Sequence, residues 1–519
     1  MSQKINEEIQ ILINKYKFGD FNEVLNKCSS LLKKNPKNDF LWNLAGLCFQ
    51  RAGNHLKAIT SFQNAIENNS KNISAKNNLG ISYKSIREYS KAEKIFKNLL
   101  LENKNYINAI VNIANLKKDT YFFEDALSYY NKALKIDENL PELHLNISNI
   151  LQVKNEMNLA KDHLFKALDL KSDFSKADQN LSMLLNYKDN INDKHLLSMI
   201  NKLQNTSLDR ENKILLHFGL GKAFEDKKNY EESFKHFEQG NNLKKEKLSS
   251  KINFYKKKAE DIKKYFSTIK FEKINKNLDS VNKIFILGLP RSGTTLLEKI
   301  ISSHSKVGSV SEIGYFYDHI DKNIIVDKKI NEDQINKLVN SNFANEYNNF
   351  LKQFNIKKKF ILDKTLTNFW YIGFIKIFFP NSKIIHSYRN PKDNCLSIFK
   401  NLFPDTTGEK WLYDQNEMGE YYLIYHDIMK FWNKLFPNQI YNSKYEDLIN
   451  NKVSKIKDLI KFCELEWDEK CLNHHKNTNP IKTLSINQAN KPIYKTSINS
   501  SQFYKDKLSE IYKILDELN

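Results

Sequence analysis

The chain has 519 residues, enough for two or more domains with sizeable hydrophobic cores. Its net charge of +20 comes almost entirely from lysine spread along helical segments, without a compact basic cluster interleaved with aromatic residues, so we expect no nucleic-acid binding. Its apolar runs are too short for a membrane span, and its first residues are too polar for a secretory signal.

The first part of the chain repeats a pattern every 34 residues. Small residues recur in the first helix of each predicted pair, and alanine or valine recurs in the second helix. Small side chains let paired helices approach closely, while the larger residues that follow fill the groove between neighbouring pairs. The first-helix positions are Gly46, Gly80, Ala114, Ser148 and Ser182, and the second-helix positions are Val24, Ala58, Ala92, Ala126 and Ala160.

This pattern resembles the tetratricopeptide repeat, with five units from about residue 5 to residue 182 and a related unit that begins at Gly221. Such arrays usually present a concave surface to a peptide, so the resemblance implies a module that binds a protein partner. Strand-like runs and seven of the nine prolines lie after residue 280. We therefore expect an all-α solenoid over residues 5–250, a helical connector over 251–280 and a second domain over 281–519.

The second domain opens with an apolar run, 284–287, followed by a loop that carries two glycines, Gly288 and Gly293. A helical pattern begins at Thr294, and the N–H groups and dipole of a helix N-terminus favour an anion. The glycine spacing matches the P-loop, but Thr294 stands where a P-loop requires lysine. Arg291 instead places a guanidinium inside the loop. The loop is therefore predicted to bind a phosphate or phosphosulfate rather than the tail of ATP.

Two further strand-like runs end in residues suited to catalysis. Glu312 follows the first run and can accept a proton from a substrate hydroxyl. The run 357–363 ends in Asp363, with Lys364 next to it. Asp363 can hold Mg²⁺ in a phosphoryl-transfer enzyme, or Lys364 can neutralise a leaving group at the carboxyl end of a strand. The absence of the P-loop lysine favours Lys364.

The run 382–388 ends in Arg389, and Ser397 lies in the helix that follows. The carboxyl ends of strands are where open α/β sheets bind ligands. We expect Arg389 and Ser397 to hold a second phosphate together.

These stretches together resemble the sulfotransferase family, and most closely the tyrosylprotein sulfotransferases, over residues 281–505. The resemblance implies a P-loop-like α/β domain with a central parallel sheet. It also implies a hydroxyl acceptor and 3′-phosphoadenosine 5′-phosphosulfate (PAPS) as sulfuryl donor, without a metal. By position it makes Glu312 the catalytic base, with Lys364 and Ser485 stabilising the transition state. The residues it assigns to PAPS binding are Arg291, Ser292, Gly293, Thr294, Thr295, Arg389, Ser397 and Tyr445.

The chain departs from that family in three ways. Ser500-Ser501-Gln502-Phe503 stands where a basic residue and a tryptophan are common, which leaves Lys491 or Lys495 to contact the 3′-phosphate. The Golgi relatives carry a membrane anchor and disulfides, whereas the five scattered cysteines here indicate a reducing, cytoplasmic location. Those relatives also lack the repeats.

The acceptor is expected to be a peptide, with protein tyrosine as one candidate, or a glycan or a small molecule, since acceptor pockets come from variable loops. Two alternatives stay open. A repeat scaffold with a degenerate nucleotide-binding domain would not bind 3′-phosphoadenosine 5′-phosphate (PAP). A P-loop kinase or NTPase would bind ATP and depend on Mg²⁺.

Overall fold

The computed structural model describes residues 2–271, 282–321, 325–326, 329–330, 332–404, 408–477, 489–490, 492–493 and 497–518. The chain divides into two compact units, Met1–Leu143 and His144–Asn519. The domain bounds drawn from the sequence stay a prediction. None of the helices within the described ranges is both long and apolar enough to cross a membrane.

The first unit consists of helix pairs joined by short turns. Its helices are α1 (Ser2–Phe18), α2 (Phe21–Lys34), α3 (Asp39–Arg51), α4 (His55–Asn68), α5 (Ile73–Ser85), α6 (Tyr89–Glu102), α7 (Ile107–Asp119) and α8 (Phe123–Ile136). The turn inside each pair contains a residue with a left-handed backbone, and this feature also recurs every 34 residues. These residues are Gly19, Gly53, Arg87 and Tyr121, with φ of 95°, 72°, 63° and 66°.

The small and large positions of the repeat meet inside each pair. A Cβ on Gly46 would lie 2.5 Å from the ring of Phe62, and a Cβ on Gly80 would lie 2.5 Å from the ring of Phe96. Both phenylalanines are fully buried. The small residues therefore let the paired helices approach closely, as predicted, while these large side chains pack against the small residues of their own pair. The all-α repeat architecture is confirmed.

More helices of the same kind follow, and the boundary between the two units falls inside the first of them. They are α9 (Pro141–Val153), α10 (Met157–Leu170), α11 (Ser175–Leu184), α12 (Asp193–Leu203), α13 (Arg210–Asp226), α14 (Tyr230–Lys245) and α15 (Ile252–Thr268). In the pair α13–α14, a Cβ on Gly221 would lie 2.6 Å from the ring of Phe237, so the predicted late unit packs like the earlier ones.

The strands within the described residues are β1 (Asn282–Gly288), β2 (Val307–Ser311), β3 (Ile325–Val326), β4 (Lys329–Ile330), β5 (Phe360–Asp363), β6 (Lys383–Tyr388) and β7 (Ile440–Lys444). Five of them form a sheet with the strand order β2-β5-β1-β6-β7 and parallel pairing throughout, while β3 and β4 form a short antiparallel pair. The central strand is β1, whose near-continuous apolar sequence is typical of a parallel strand buried on both faces. This confirms the predicted α/β class with a central parallel sheet.

Helices cover both faces of the sheet, because successive residues of β1 point to opposite sides. Ile284 and Ile286 join one apolar core, which includes Leu297. Phe285 faces an aromatic layer, with its ring centroid 5.9 Å from that of Phe316. The helices are α16 (Thr294–Ser302), α17 (Glu332–Val339), α18 (Phe343–Leu351), α19 (Ile372–Phe378), α20 (Pro391–Phe399), α21 (Gln415–Leu435), α22 (Tyr445–Asn450), α23 (Lys452–Phe462) and α24 (Ser509–Leu515).

The last repeat-like pair packs directly on a helix of the sheet region. Asn241 in α14 donates a hydrogen bond of 2.8 Å to the carbonyl oxygen of Phe399, the last residue of α20. The rings of Phe234 and Phe399 stack with centroids 5.5 Å apart. Helix α20, which carries Ser397, therefore packs against α14.

Candidate active site at the carboxyl edge of the sheet

The loop between β1 and α16 has a backbone that requires glycine at two positions. Gly288 and Gly293 have φ of 146° and 102°. A Cβ on Gly288 would lie 2.3 Å from the carbonyl oxygen of Ser387, and a Cβ on Gly293 would lie 2.7 Å from the ring of Tyr445. Arg291, between them, has φ of 66°. Strand β6 and helix α22 therefore lie so close to the loop that these two positions accept only glycine.

Side chains from β6 and α20 fix this loop through its carbonyl groups. The Ser387 hydroxyl donates to the Ser292 carbonyl at 2.9 Å, and the Asn394 amide donates to the Pro290 carbonyl at 2.8 Å. The Ser292 hydroxyl donates to the carbonyl of Leu289 at 2.8 Å. These bonds fix the loop that leads from β1 into α16. The N-terminus of α16 includes Thr294 and Thr295, which are buried. A helix N-terminus held in this way is suited to bind an anion.

The structure brings Glu312 and Lys364 into contact, as an ion pair between Lys364 Nζ and Glu312 Oε1. The Lys364 side chain is fully buried, whereas 39% of the Glu312 side chain is exposed. A β-bulge between Ser309 and Ser311 produces this arrangement, since Ser311 has φ of 53° and directs the chain toward Glu312. The backbone N–H of Lys364 donates to the Ser311 carbonyl at 3.0 Å.

The charge of Lys364 is stabilised despite its burial. Burial alone would lower the pKa of this ammonium, but the carboxylates of Glu312 and Glu298 outweigh it and raise the pKa above its ordinary value. Lys364 is therefore an ammonium group at neutral pH. It is well placed to stabilise negative charge that develops next to the loop.

Glu298 is a member of this cluster that the sequence analysis missed. Its side chain is fully buried, and its Oε2 lies 3.5 Å from Lys364 Nζ. Its Oε1 accepts a hydrogen bond of 2.6 Å from the Ser309 hydroxyl. One signal was present in the sequence: Glu298 follows Thr294 by four positions, which places it on the helix face that begins at the loop.

Asp363, the alternative magnesium ligand, has both carboxylate oxygens occupied by protein donors. Oδ2 accepts from the Tyr347 hydroxyl at 2.8 Å, and Oδ1 accepts from the Thr365 hydroxyl at 2.6 Å and from the Thr365 N–H at 3.0 Å. Burial raises the pKa of Asp363 to about 6. These bonds give Asp363 a structural role in the turn after β5.

Arg389 lies at the end of β6, where it is almost fully buried. Its guanidinium lies 5.0 Å from the ring centroid of Tyr445, and its Nη2 donates to the carbonyl oxygen of Ser497. The carboxylate of Asp393 lies 3.8 Å from Nη2. Arg389 Nε is buried and has no hydrogen-bond partner among the residues that the structure describes. One donor of the fork is thus left for a ligand.

Arg291 and Ser397 also meet, through a hydrogen bond of 3.2 Å from Arg291 Nε to the Ser397 hydroxyl. The sequence analysis assigned these residues to the two opposite ends of PAPS, and the structure places them side by side. Tyr445 contacts the loop at Gly293 and stacks on Arg389. The loop and the second arginine are therefore parts of one cluster.

The C-terminal segment returns to this cluster, and two further residues that the sequence analysis missed take part there: Ser497 from this segment and Asp393 from α20. Ser497 binds Arg389 through its carbonyl and lies 2.8 Å from the Tyr445 hydroxyl through its own hydroxyl. Asp393, buried in α20, accepts hydrogen bonds from the backbone N–H groups of Asn499 at 2.7 Å and Ser501 at 2.9 Å. The predicted residues Ser485 and Lys491, and the alternative Lys495, lie outside the described residues.

The segment that departs from the sulfotransferase pattern, Ser500 to Phe503, is anchored on the repeat-like helices. The ring of Phe503 stacks on Tyr230 of α14 with centroids 4.6 Å apart. The hydroxyl of the next residue, Tyr504, lies 3.0 Å from that of Ser233 and donates to Glu225 at 3.1 Å. An aromatic anchor thus stands where the family commonly has a basic residue and a tryptophan.

The strand order places these parts relative to one another. β1, which ends in the loop, lies between β5, which ends next to Lys364, and β6, which ends next to Arg389. Neighbouring strands are about 4.8 Å apart, so the ends of β5 and β6, one on each side of β1, are separated by roughly 10 Å. The ion pair between Glu312 and Lys364 therefore lies on one side of the loop, and the buried Arg389 lies on the other.

The sheet region resembles a known protein family. Residues 283–469 match the model of the sulfotransferase family. An uncharacterised protein of Aquifex aeolicus (strain VF5) is 30% identical over 338 residues, which cover 63% of this chain and 44% of that protein. The chain thus spans less than half the length of this relative.

Solved structures similar to part of the chain include tetratricopeptide repeat proteins. A tetratricopeptide repeat protein from Parabacteroides merdae ATCC 43184 is 17% identical, with a TM-score of 0.36, and covers 46% of this chain and 93% of its own. A thermophilic tetratricopeptide repeat protein from Thermus thermophilus is 18% identical, with a TM-score of 0.30, over 35% of this chain and 98% of its own. The Pseudomonas aeruginosa protein pilF is 18% identical, with a TM-score of 0.32, over 40% of this chain and 92% of its own.

Proposed function

We propose that the protein transfers a sulfuryl group from PAPS to a hydroxyl acceptor. The observation that carries this proposal is the ion pair between Glu312 and Lys364, which joins a partly exposed carboxylate to a buried cation at the sheet edge. This pair lies within the sulfotransferase family domain, as does the glycine loop that lacks the P-loop lysine.

The residues of this edge suit the two ends of PAPS. The loop 288–293 and the N-terminus of α16 suit the 5′-phosphosulfate, because the backbone N–H groups and the dipole of a helix N-terminus favour an anion. Arg389 suits the 3′-phosphate, because its buried Nε is a donor without a protein partner among the described residues. Ser397 and Tyr445, which contact the two arginines, complete the set. We extend the proposal to Lys491 at the 3′-phosphate.

When bound, PAPS supplies a sulfuryl group attached to a phosphate that departs with negative charge. Glu312 accepts the proton of the acceptor hydroxyl at its carboxylate. Lys364 holds its proton at Nζ and stabilises the negative charge that forms next to the loop, and we propose that Ser485 assists it. Because Lys364 contacts Glu312 in the structure, this contact has to be exchanged before Glu312 can serve as base. The proposal calls for no metal, since Lys364 and the two arginines supply the positive charge.

We propose a peptide or protein acceptor, with protein tyrosine as the first candidate. The support is the tetratricopeptide-like architecture of the helix pairs, since arrays of this kind bind peptides on extended surfaces. The contact between Asn241 of α14 and the end of α20 joins the last pair to the helix that carries Ser397. We also propose a cytoplasmic location, in which the five buried thiols remain reduced.

The proposal is tested by incubating the purified protein with ³⁵S-labelled PAPS and an extract of the source cells. We expect a labelled product whose formation needs no added Mg²⁺, and the labelled molecule identifies the acceptor. An extract that stays unlabelled while PAPS remains intact would contradict the enzymatic assignment. Mg²⁺-dependent transfer of label from γ-³²P-ATP would instead support a kinase.

A further inference from the structure

The cation Lys364 lies between two carboxylates, and only one of them belongs to the proposed catalytic base. Glu312 reaches Lys364 from the end of β2, while Glu298 reaches it from α16. Glu298 is fully buried, so it can neither bind an acceptor from solvent nor exchange its partner freely. We propose that Glu298 is a positioning residue, which holds Lys364 in place and in its charged form when Glu312 is released to act as base. This inference rests on the proposed sulfuryl transfer.

A second carboxylate is needed because Lys364 is buried. If Glu312 were its only partner, the exchange that frees Glu312 would leave a buried ammonium without a counter-charge, which is strongly unfavourable. Glu298 supplies that counter-charge from the side of the core, 3.5 Å from Nζ. Lys364 can then turn from Glu312 to the leaving group while one ionic contact is kept.

Glu298 is also linked to the backbone that places Glu312. Its Oε1 accepts a hydrogen bond from the Ser309 hydroxyl at 2.6 Å, and the same hydroxyl oxygen accepts from the Ser311 N–H at 3.0 Å. Ser311 is the left-handed residue of the β-bulge, directly before Glu312. One buried carboxylate therefore contacts Lys364 directly and supports Glu312 through Ser309.

The charged groups that interact with Lys364 come from two elements: Glu298 from α16 and Glu312 after β2. The carboxylate of the neighbouring Asp363 is bound instead to Tyr347 and Thr365. Burial raises the pKa of Glu298, and the positive charge of Lys364 opposes that shift. Lys364 keeps its charge, since the two carboxylates raise the pKa of its ammonium group. Removing the charge at Glu298 is then expected to lower the pKa of Lys364.

The test is the variant Glu298→Gln, which keeps an oxygen for the Ser309 hydroxyl and removes the charge. The rate of PAP formation from PAPS is measured with p-nitrophenol as probe acceptor. This rate includes transfer to the phenol and transfer to water. We expect kcat to fall on the order of 10-fold to 100-fold, less than the loss of a catalytic group. The KM for PAPS and the Kd for PAP should change by less than about threefold, because Glu298 does not contact the arginine cluster. The alkaline limb of the kcat–pH profile should move to lower pH.

Two other variants separate the ionic contact of Glu298 with Lys364 from its hydrogen bond with Ser309. Ser309→Ala breaks the connection to the bulge but keeps the charge, so kcat should fall while the alkaline limb stays in place. In a Lys364→Met background, Glu298→Gln should cause little further loss of kcat, because the group it holds is gone. The charge control is Glu464→Gln, an exposed carboxylate paired with Lys383, for which kcat should equal that of the parent protein.

The outcomes distinguish this inference from the proposed function. If the parent protein neither binds PAP nor releases it from PAPS, the proposed function fails. If the parent is active and Glu298→Gln has the same kcat and the same alkaline limb, only the positioning role is overturned. Should Glu298→Gln fail to fold by thermal melting, Glu298→Asp replaces it: the charge is kept but withdrawn from Lys364, and an unchanged kcat would overturn the inference equally.

Discussion

The helix pairs and the sheet domain build their key contacts in different ways. In the pairs, the same contact recurs at equivalent positions: Gly46 packs against Phe62, and Gly80 packs against Phe96. At the sheet edge each contact occurs once, and Glu312 meets Lys364 only because β2 and β5 are neighbouring strands. A repeated contact can be recognised by its period, whereas a single contact depends on a strand order that the sequence does not display.

This contrast has a consequence for mutations. A change at the sheet edge should alter binding or turnover with little effect on the free energy of unfolding. A change at a repeat position should alter the free energy of unfolding and leave the sheet edge intact. The following predictions test this division, beginning with the largest expected effect.

Glu312→Gln should lower kcat by about 10²–10⁴-fold, the usual contribution of a general base. The Kd for PAP should stay close to that of the parent protein, because Glu312 contacts Lys364 and not the arginine cluster. Steady-state kinetics with PAPS and p-nitrophenol, together with calorimetry, would measure both quantities. Glu466→Gln, which alters an exposed carboxylate paired with Lys306, is the matched control. Turnover at the parent rate would show that Glu312 is not the base.

Arg389→Lys should weaken PAP binding by about 10–100-fold, which corresponds to about 1.5–3 kcal/mol for charge-assisted hydrogen bonds. Lysine keeps the charge but loses the planar fork and its stacking on Tyr445. Calorimetric titration measures the change, with Arg210→Lys in α13 as the control. An unchanged Kd for PAP would place the 3′-phosphate elsewhere.

Asp393→Asn should weaken PAP binding by a smaller factor, roughly 10-fold, since it loosens hydrogen bonds to a charged group worth about 1.5 kcal/mol. The carboxylate accepts the N–H groups of Asn499 and Ser501 and so holds Ser497 against Arg389. The Kd for PAP is compared with that of Asp506→Asn, an exposed position on the same segment. Equal affinities in both variants would mean that the segment does not support the arginine.

Gly80→Ala should leave PAP binding unchanged and lower the free energy of unfolding of its unit by about 1–3 kcal/mol, as overpacking does. The new methyl group would meet the Phe96 ring at 2.5 Å. Urea denaturation measures the loss, and the double variant Gly80→Ala/Phe96→Leu should recover part of it. A single variant as stable as the parent would show that the small–large contact is not limiting.

The features predicted correctly are those that leave a local pattern. The 34-residue period is visible as a regular spacing along the chain, and the glycine loop and the ends of β5 and β6 are visible within short stretches. The strand predicted over 357–363 proved shorter, since the structure begins β5 at Phe360 and leaves the preceding lysines outside it. β7 went unpredicted, because Ile440–Lys444 is short and partly polar.

The site residues that the sequence analysis missed were missed for one reason: each contacts residues that lie far away in the sequence. Ser497 reaches Arg389 across more than a hundred residues, and Asp393 binds the same returning segment. Glu298 is an acidic residue in a buried helix, and its role becomes apparent only when Lys364 is placed opposite it. The strand order and the path of the C-terminal segment decide these contacts, and neither leaves a periodic signal.

The central claim is that one edge of the sheet binds both phosphate-bearing ends of a 3′,5′-nucleotide. Calorimetric titration of the full chain with PAP and with adenosine 5′-phosphate, without metal, tests it most directly. We expect saturable binding of PAP that is about 10–100-fold tighter than that of adenosine 5′-phosphate, because Arg389 contacts only the 3′-phosphate. Equal affinities for the two nucleotides, or no saturable heat with PAP, would contradict it.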